Sequence, residues 1–156
     1  MPFRRAPADA ATIPDADDAL AIGLRYNESS YDRDRGNTEL TLLASAARTA
    51  TASSPDQTNY NARGVIVTLR ATASAATPSI VLTIEAKMGA VYETLLTAAA
   101  VTEAGVHTHI VYPGVAAAAG DVTTVAGYPL PRTWRVTVTH ADTDSITYSV
   151  VASLIL

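Results

Sequence analysis

From Leu40 to Leu156 the chain is patterned with a period of two. Val65, Val67, Leu69 and Ala71 alternate with Ile66, Thr68, Arg70 and Thr72. Ile80, Leu82, Ile84 and Ala86 alternate with Val81, Thr83, Glu85 and Lys87. Trp134, Val136 and Val138 are interleaved with Thr133, Arg135, Thr137 and Thr139. Ile146, Tyr148, Val150, Ala152 and Leu154 are interleaved with Thr147, Ser149, Val151 and Ser153. Side chains on a strand point alternately to its two faces, so each run reads as a half-buried strand, and the β-branched content agrees. Weaker strands are expected at about Leu40–Arg48, Val91–Thr97 and Val106–Tyr112. The breakers Ala76-Thr77-Pro78, Met88-Gly89-Ala90, Glu103-Ala104-Gly105 and Asp142-Thr143-Asp144 are hairpin-sized, which predicts antiparallel neighbours. Two longer links remain, Thr49–Ala62 and Pro113–Pro131, the second long enough to cross between sheets. About seven antiparallel strands at roughly ten-residue spacing predict an all-β fold, an antiparallel β-sandwich of jelly-roll or immunoglobulin-like topology.

The pattern stops short of the first 39 residues. These hold Arg4, Arg5, Arg25, Arg33 and Arg35 with eight acidic residues, a net of −3, whereas residues 40–156 carry a net of −1. Half of all the charge therefore sits in a quarter of the chain. One helical hint is present, with Asp15 as N-cap, Asp17 and Asp18 in the first turn and Gly23 as a stop. Such a helix has too few turns to stand alone in water. Tyr26 to Thr38 reads as loop. The domain organisation expected is an N-terminal arm, 1–39, extended or ordered on assembly, followed by a sandwich, 40–156. Thirty-nine residues at ~3.3 Å each reach about 130 Å, several times the diameter of the following domain.

Composition removes several function classes. Among 156 residues there is no cysteine, so no disulfide scaffold, cysteine–zinc site, iron–sulfur cluster or thiol nucleophile is available. A net charge of −4 is not the field of a general nucleic-acid binder. No apolar run approaches the ~18 residues of a membrane span, and Phe3-Arg4-Arg5 leads into no apolar signal core. No G-x-S-x-G elbow, Walker loop, H-E-x-x-H or G-x-G-x-x-G fingerprint occurs, so an enzyme is not expected, nor is a cofactor.

Three clusters merit weighing for chemistry. His107-Thr108-His109 puts two imidazoles on one strand face, a spacing some zinc sites use. Alternation against Val106, Ile110 and Tyr112 turns both outward, whereas the only other histidine, His140, is in phase with the core side of its strand. Two solvent-facing histidines are expected, with a metal shared across a subunit interface as the alternative. Asp32/Asp34 and Asp142/Asp144 lack the glycine and distal glutamate of a calcium loop, and the second pair reads as turn-forming. Trp134 is in phase with the core, and Tyr92, Tyr112, Tyr128 and Tyr148 are scattered, which leaves a glycan platform weakly supported. The outward faces are nearly neutral and rich in Thr, Val and Ile, with Arg70 and Arg135 among their few charges. That suits burial against another subunit, where charge is depleted and Arg is retained.

The segments Leu42-Leu43-Ala44-Ser45-Ala46-Ala47-Arg48-Thr49, Asn59-Tyr60-Asn61-Ala62-Arg63-Gly64-Val65, Tyr112-Pro113-Gly114, Leu130-Pro131-Arg132-Thr133-Trp134-Arg135-Val136 and Ile146-Thr147-Tyr148-Ser149-Val150 resemble a tailed-bacteriophage virion structural protein family. The resemblance covers about Leu40 to Leu156. It implies a small β-sandwich of the capsid decoration or cement type, on the exterior of the virion capsid after synthesis in the host cytoplasm. The implied partners are the major capsid protein of the shell and further copies of the chain in a homo-oligomer such as a trimer, with neither nucleic acid nor membrane. A tail or baseplate module binding a host-surface glycan or receptor is the alternative. The resemblance identifies no contact residues. From the residues themselves, Arg4, Arg5, Arg25, Arg33 and Arg35 are candidates for acidic shell surfaces, Tyr26 and Tyr31 for anchors, and Arg70 and Arg135 for interface positions on the strands.

Overall fold

The inward member of each alternating run is sealed from solvent. Val65, Val67, Leu69, Ile80, Ile84, Trp134, Val136, Val138, Ile146, Tyr148 and Val150 are all fully buried. A computed structural model describes residues 24–26, 31–33, 38–116 and 122–156. The chain divides into two units, Met1–Arg35 and Gly36–Leu156.

In the first unit, β1 (Leu24–Tyr26) and β2 (Tyr31–Arg33) pair antiparallel, with Leu24 opposite Arg33, Arg25 opposite Asp32 and Tyr26 opposite Tyr31. β2 lies where the sequence predicts loop, because three residues of Tyr-Asp-Arg carry no alternation to announce a strand. The helix expected at Asp15–Gly23 lies outside the described residues.

The second unit holds ten strands and, among the described residues, no helix. They are β3 (Glu39–Arg48), β4 (Ala52–Ser53), β5 (Gln57–Thr58), β6 (Gly64–Ser74), β7 (Ile80–Met88), β8 (Val91–Thr97), β9 (Gly105–Val111), β10 (Val122–Ala126), β11 (Thr133–His140) and β12 (Ile146–Ile155). One sheet runs β10-β9-β6-β12-β3; the other runs β4-β11-β7-β8, with β5 also pairing β11. A single core lies between them, with Trp134 and Tyr148 its largest fully buried side chains. The unit is a β-sandwich, as the alternation predicts.

The connections differ from expectation. Of the four short breakers only 89–90 closes a hairpin, β7 to β8, with Gly89 in the left-handed region at φ +66°. Links 75–79, 98–104 and 141–145 instead carry the chain from one sheet to the other. Stacked sheets lie only ~10 Å apart, so a five-residue link climbs between them as readily as it turns within one. Composition does not distinguish the two routes. Links 75–79 and 141–145 are clipped together by the aspartates expected in the turn. Asp144 accepts from Thr77 N–H at 3.1 Å, and Asp142 accepts from Ser79 N–H at 3.0 Å and from Asp144 N–H at 3.0 Å. β10 pairs parallel with β9, the one parallel ladder among the described strands, and occupies part of a link expected to be all loop. The remainder, 127–132, does cross between sheets.

β3 carries a bulge in its ladder with β12. Tyr148 faces Ala46 and Val150 faces Leu43, so Ala44 and Ser45 oppose Ser149 alone. The Arg48 side chain fills the defect. Its guanidinium donates to the carbonyls of Ala44 at 2.7 Å, Tyr148 at 2.8 Å and Ala46 at 3.3 Å, and lies 4.6 Å over the Tyr148 ring. Arg48→Ala leaves those carbonyls unpaired and is expected to lower the unfolding free energy by about 2 kcal/mol in urea titration. A change below ~0.5 kcal/mol, the range of a neutral surface substitution, would show the bulge stands without it.

Candidate functional site

Of the residues singled out from the sequence, Arg4, Arg5 and Arg35 lie outside the described residues. Arg25, Tyr26, Tyr31 and Arg33 are on the β1–β2 pair. Arg70 and Arg135 are not brought together: they lie on the outer faces of opposite sheets.

Arg135 is committed locally. Its Nε donates to Glu85 Oε2 at 2.7 Å, and its guanidinium lies 3.4 Å over the Tyr92 ring. Glu85 also accepts from Thr137 Oγ1 at 2.9 Å, and that hydroxyl is 2.9 Å from Ser53 Oγ. Beside it Asp56 accepts from Lys87 Nζ at 2.6 Å and from Tyr92 Oη at 2.8 Å. The Lys87 hydrogen bond, then that of Tyr92, holds the Asp56 carboxyl below its ordinary range, and Asp56 in turn raises Lys87. This network fastens the segment around β4 and β5 onto β7, β8 and β11.

The outer face of the first sheet is different. Ile66, Thr68, Ser149 and Val151 are half-buried with no covering strand among the described residues, and Val106 is 64% exposed. An open trough of about 580 Å³ lies along this face, with Leu40, Ile66 and Val151 among its apolar lining and Glu39 and Arg70 as its only charged residues. Among the described residues neither charge has an ion-pair partner.

The histidine expectation is overturned. β9 pairs with β6 so that Val111 faces Val65, His109 faces Val67 and His107 faces Leu69. Paired residues share a face, so both imidazoles turn with the core residues of β6 while Val106, Thr108 and Ile110 turn outward. The strand has apolar residues in both phases, and the phase holding Val106, Ile110 and Tyr112 was the wrong one. His109 is 2% exposed, and neither of its ring nitrogens, nor His107 Nε2, has a hydrogen-bond partner among the described residues. Burial, aided by the neighbouring His107, pushes the His109 pKa down to about 4. His140 lies on the core side as expected, its Nε2 3.4 Å from Tyr148 Oη. Among the described residues no three histidine, aspartate or glutamate side chains gather as a metal site would need.

The largest gathering of aromatic and cationic groups was missed from the sequence. At the end of the sandwich where β6 begins, the segments 59–64, 112–116 and 127–132 converge. Asn59, 8% exposed, ties them. Its Nδ2 donates to the carbonyls of Ala62 and Leu130, both at 2.9 Å, and its Oδ1 accepts from Ala62 N–H at 2.8 Å. Backbone bonds run from Asn59 N–H to Arg132 O at 2.7 Å, from Leu130 N–H to Arg63 O at 3.0 Å and from Tyr112 N–H to Ala126 O at 3.0 Å. Gly64 is required here, because a Cβ would lie 2.6 Å from the Tyr112 ring. The Arg63 guanidinium lies 5.6 Å from the centre of the Tyr112 ring, and that of Arg132 lies 5.3 Å from the Tyr60 ring. Tyr128, on the same convergence, is 59% exposed. Arg63 stands 49 positions from Tyr112 and Arg132 stands 72 from Tyr60, in no shared motif, so only the fold unites each pair. No family model matches the chain, and no curated protein matches it.

The buried imidazole makes stability pH-dependent. An unfolded imidazole titrates near 6.5 and the folded one at about 4, so the unfolded chain holds the extra proton between them. The contribution of His109 is complete above about 6.5, falls as the pH drops through that window and levels off below about 4, a loss of roughly 3 kcal/mol. Urea unfolding across this range is expected to show the slope, and His109→Leu to flatten it. An unchanged slope in the variant would mean the ring is solvated.

Proposed function

We propose that this chain is a non-enzymatic virion structural protein that decorates and cements a bacteriophage capsid by bridging shell subunits. The observation that carries the proposal is the outer face of the first sheet: broad, nearly neutral, rich in Thr, Val and Ile, and without a covering layer among the described residues. A sheet face that meets only water ordinarily carries more Lys and Glu, which also guard against unwanted association. Strand order supports the architecture. β3-β12-β6-β9 opposes β4-β11-β7-β8, the first and last long strands are neighbours, and from β6 onward the chain changes sheet at 75–79, 98–104, 127–132 and 141–145. This order favours a jelly roll over an immunoglobulin-like sandwich, and jelly rolls serve viral coat proteins and lectins. Fold alone does not assign a role, so the weight rests on the face.

The mechanism is linkage. A protein that binds the assembled shell more tightly than free subunits stabilises the shell by that difference. Sandwiches associate with one another, as a trimer or another homo-oligomer, over junctions between subunits, and the charge-rich arm adds contacts by ordering on a neighbour. The glycan- or receptor-binding alternative draws its support from the exposed Tyr128.

Immunogold labelling of intact virions against this chain is expected to decorate heads, and labelling confined to tails would overturn the cement role. A chain beginning at Thr38, whose carbonyl accepts from Leu154 N–H at 2.8 Å, keeps β3 in its sheet. It is expected to fold, by circular dichroism, and to fail to saturate purified capsids in co-sedimentation. Unchanged saturation would remove the arm from the mechanism.

A further inference from the structure

The convergence of loops where β6 begins holds two guanidinium groups without a hydrogen-bond partner among the described residues. We infer that Arg63 and Arg132 form a receiving pair for the carboxylates of an acidic segment on a protein partner. The other described arginines divide instructively. Arg135 lies on Tyr92 and donates to Glu85, while Arg48 lies on Tyr148 and donates to three backbone carbonyls. Arg63 and Arg132 also lie over rings, those of Tyr112 at 5.6 Å and Tyr60 at 5.3 Å, yet both are exposed and, among the described residues, neither guanidinium has a hydrogen-bond or ion-pair partner. The ring contact is built, and no acceptor lies among the described residues.

Posture determines the ligand. A guanidinium resting on an aromatic ring keeps its planar N–H edge directed away from the ring, and that fork matches a carboxylate in bidentate fashion. Stacking also restricts the side chain before binding, so less freedom is lost on contact. The two forks are set relative to each other by rigid backbone, since Leu130 N–H donates to Arg63 O and Asn59 N–H to Arg132 O around the buried Asn59. Two positive charges on hydrogen-bonded segments, without an ion-pair partner among the described residues, attract a segment bearing several carboxylates, and the exposed Tyr128 on one of those segments offers apolar contact at low entropic cost. A sugar ligand fits less well. The guanidinium groups lie over Tyr112 and Tyr60, and Gly64 backs Tyr112, so flat ring surface for stacking is reduced to Tyr128.

The inference rests on the proposed capsid role only for who supplies the carboxylates; the receiving pair is tested without any capsid. A fluorescently labelled hexaglutamate peptide is titrated into the full chain at low ionic strength, with sialyllactose, a carboxylate-bearing sugar, as the second probe. Binding of the peptide is expected, with loss on raising the salt concentration and a weakening of about tenfold in each of Arg63→Gln and Arg132→Gln. Arg63→Lys and Arg132→Lys are expected to weaken it as well, because lysine presents a point charge in place of a fork. Thermal unfolding of each variant confirms that the exposed substitutions leave the fold intact. Absence of peptide binding, equal affinity in the Arg63→Gln, Arg132→Gln double variant, or binding of sialyllactose in place of the peptide would each overturn the inference. Head labelling of virions would stand untouched by any of these, so the two proposals fail separately.

Discussion

The ladder between β6 and β12 sets the phase of the whole domain. It runs from Ser74 opposite Ile146 to Gly64 opposite Ile155, at the centre of its sheet. Because cross-strand partners share a face, placing Val65, Val67 and Leu69 in the core forces Leu154, Ala152 and Val150 onto the same side. The same rule, applied on the other edge of β6, turns His107, His109 and Val111 inward. It also leaves Ile66, Thr68, Ser149 and Val151 facing out together. A slip of one residue would exchange the core for the neutral outer face. The inward imidazoles, the trough and the convergence around Gly64 are consequences of how β6 pairs with β12 and β9.

How much of this was legible in the sequence depended on strand length. β6, β7, β11 and β12 are eight residues or longer, and their alternation was unambiguous. Trp134 was accordingly placed in the core, where it is fully buried. β4 and β5 have two residues each, too few to show any period, and form only because β11 offers them an edge. β9 was found, yet its phase was not, because Val106 and Ile110 compete with Val111 for the inward set. Only pairing with β6 decides between them, and pairing is not local information. The sheet-crossing links failed for the same reason: Thr77-Pro78 and Asp142-Thr143-Asp144 specify a reversal of the chain, not the sheet it enters. Arg63 and Arg132 were passed over because stacking partners 49 and 72 residues away along the chain are invisible until the sandwich closes.

The charges of the domain are distributed unevenly between its two ends. Where β6 finishes, Asp142 and Asp144 are occupied by backbone N–H groups of the crossing links. On the second sheet, Glu85, Asp56, Lys87 and Arg135 are occupied by one another. Surface ion pairs of this kind add little stability singly, but as a network they hold a loop in place and leave no charge free for a partner. Against that background, among the described residues, Glu39 and Arg70 on the open sheet face and Arg63 and Arg132 at the end where β6 begins have no such partner, as is also true of Glu93 and Glu103.

Those two places are geometrically distinct, one a broad face and the other a loop end. A surface made for a small substrate would draw its polar groups into one concavity, where they could act on the same atoms. Here the open sheet face and the loop end are separate places on the domain. A domain with two uncommitted surfaces, one neutral and extended and the other cationic and rigid, can touch two partners at once. The free energy of each contact then adds to the stability of the assembly that holds both partners in position, and is lost when they separate. For the bridging role we propose, that condition would rest on the pairing of these strands and on arginines without acid partners among the described residues.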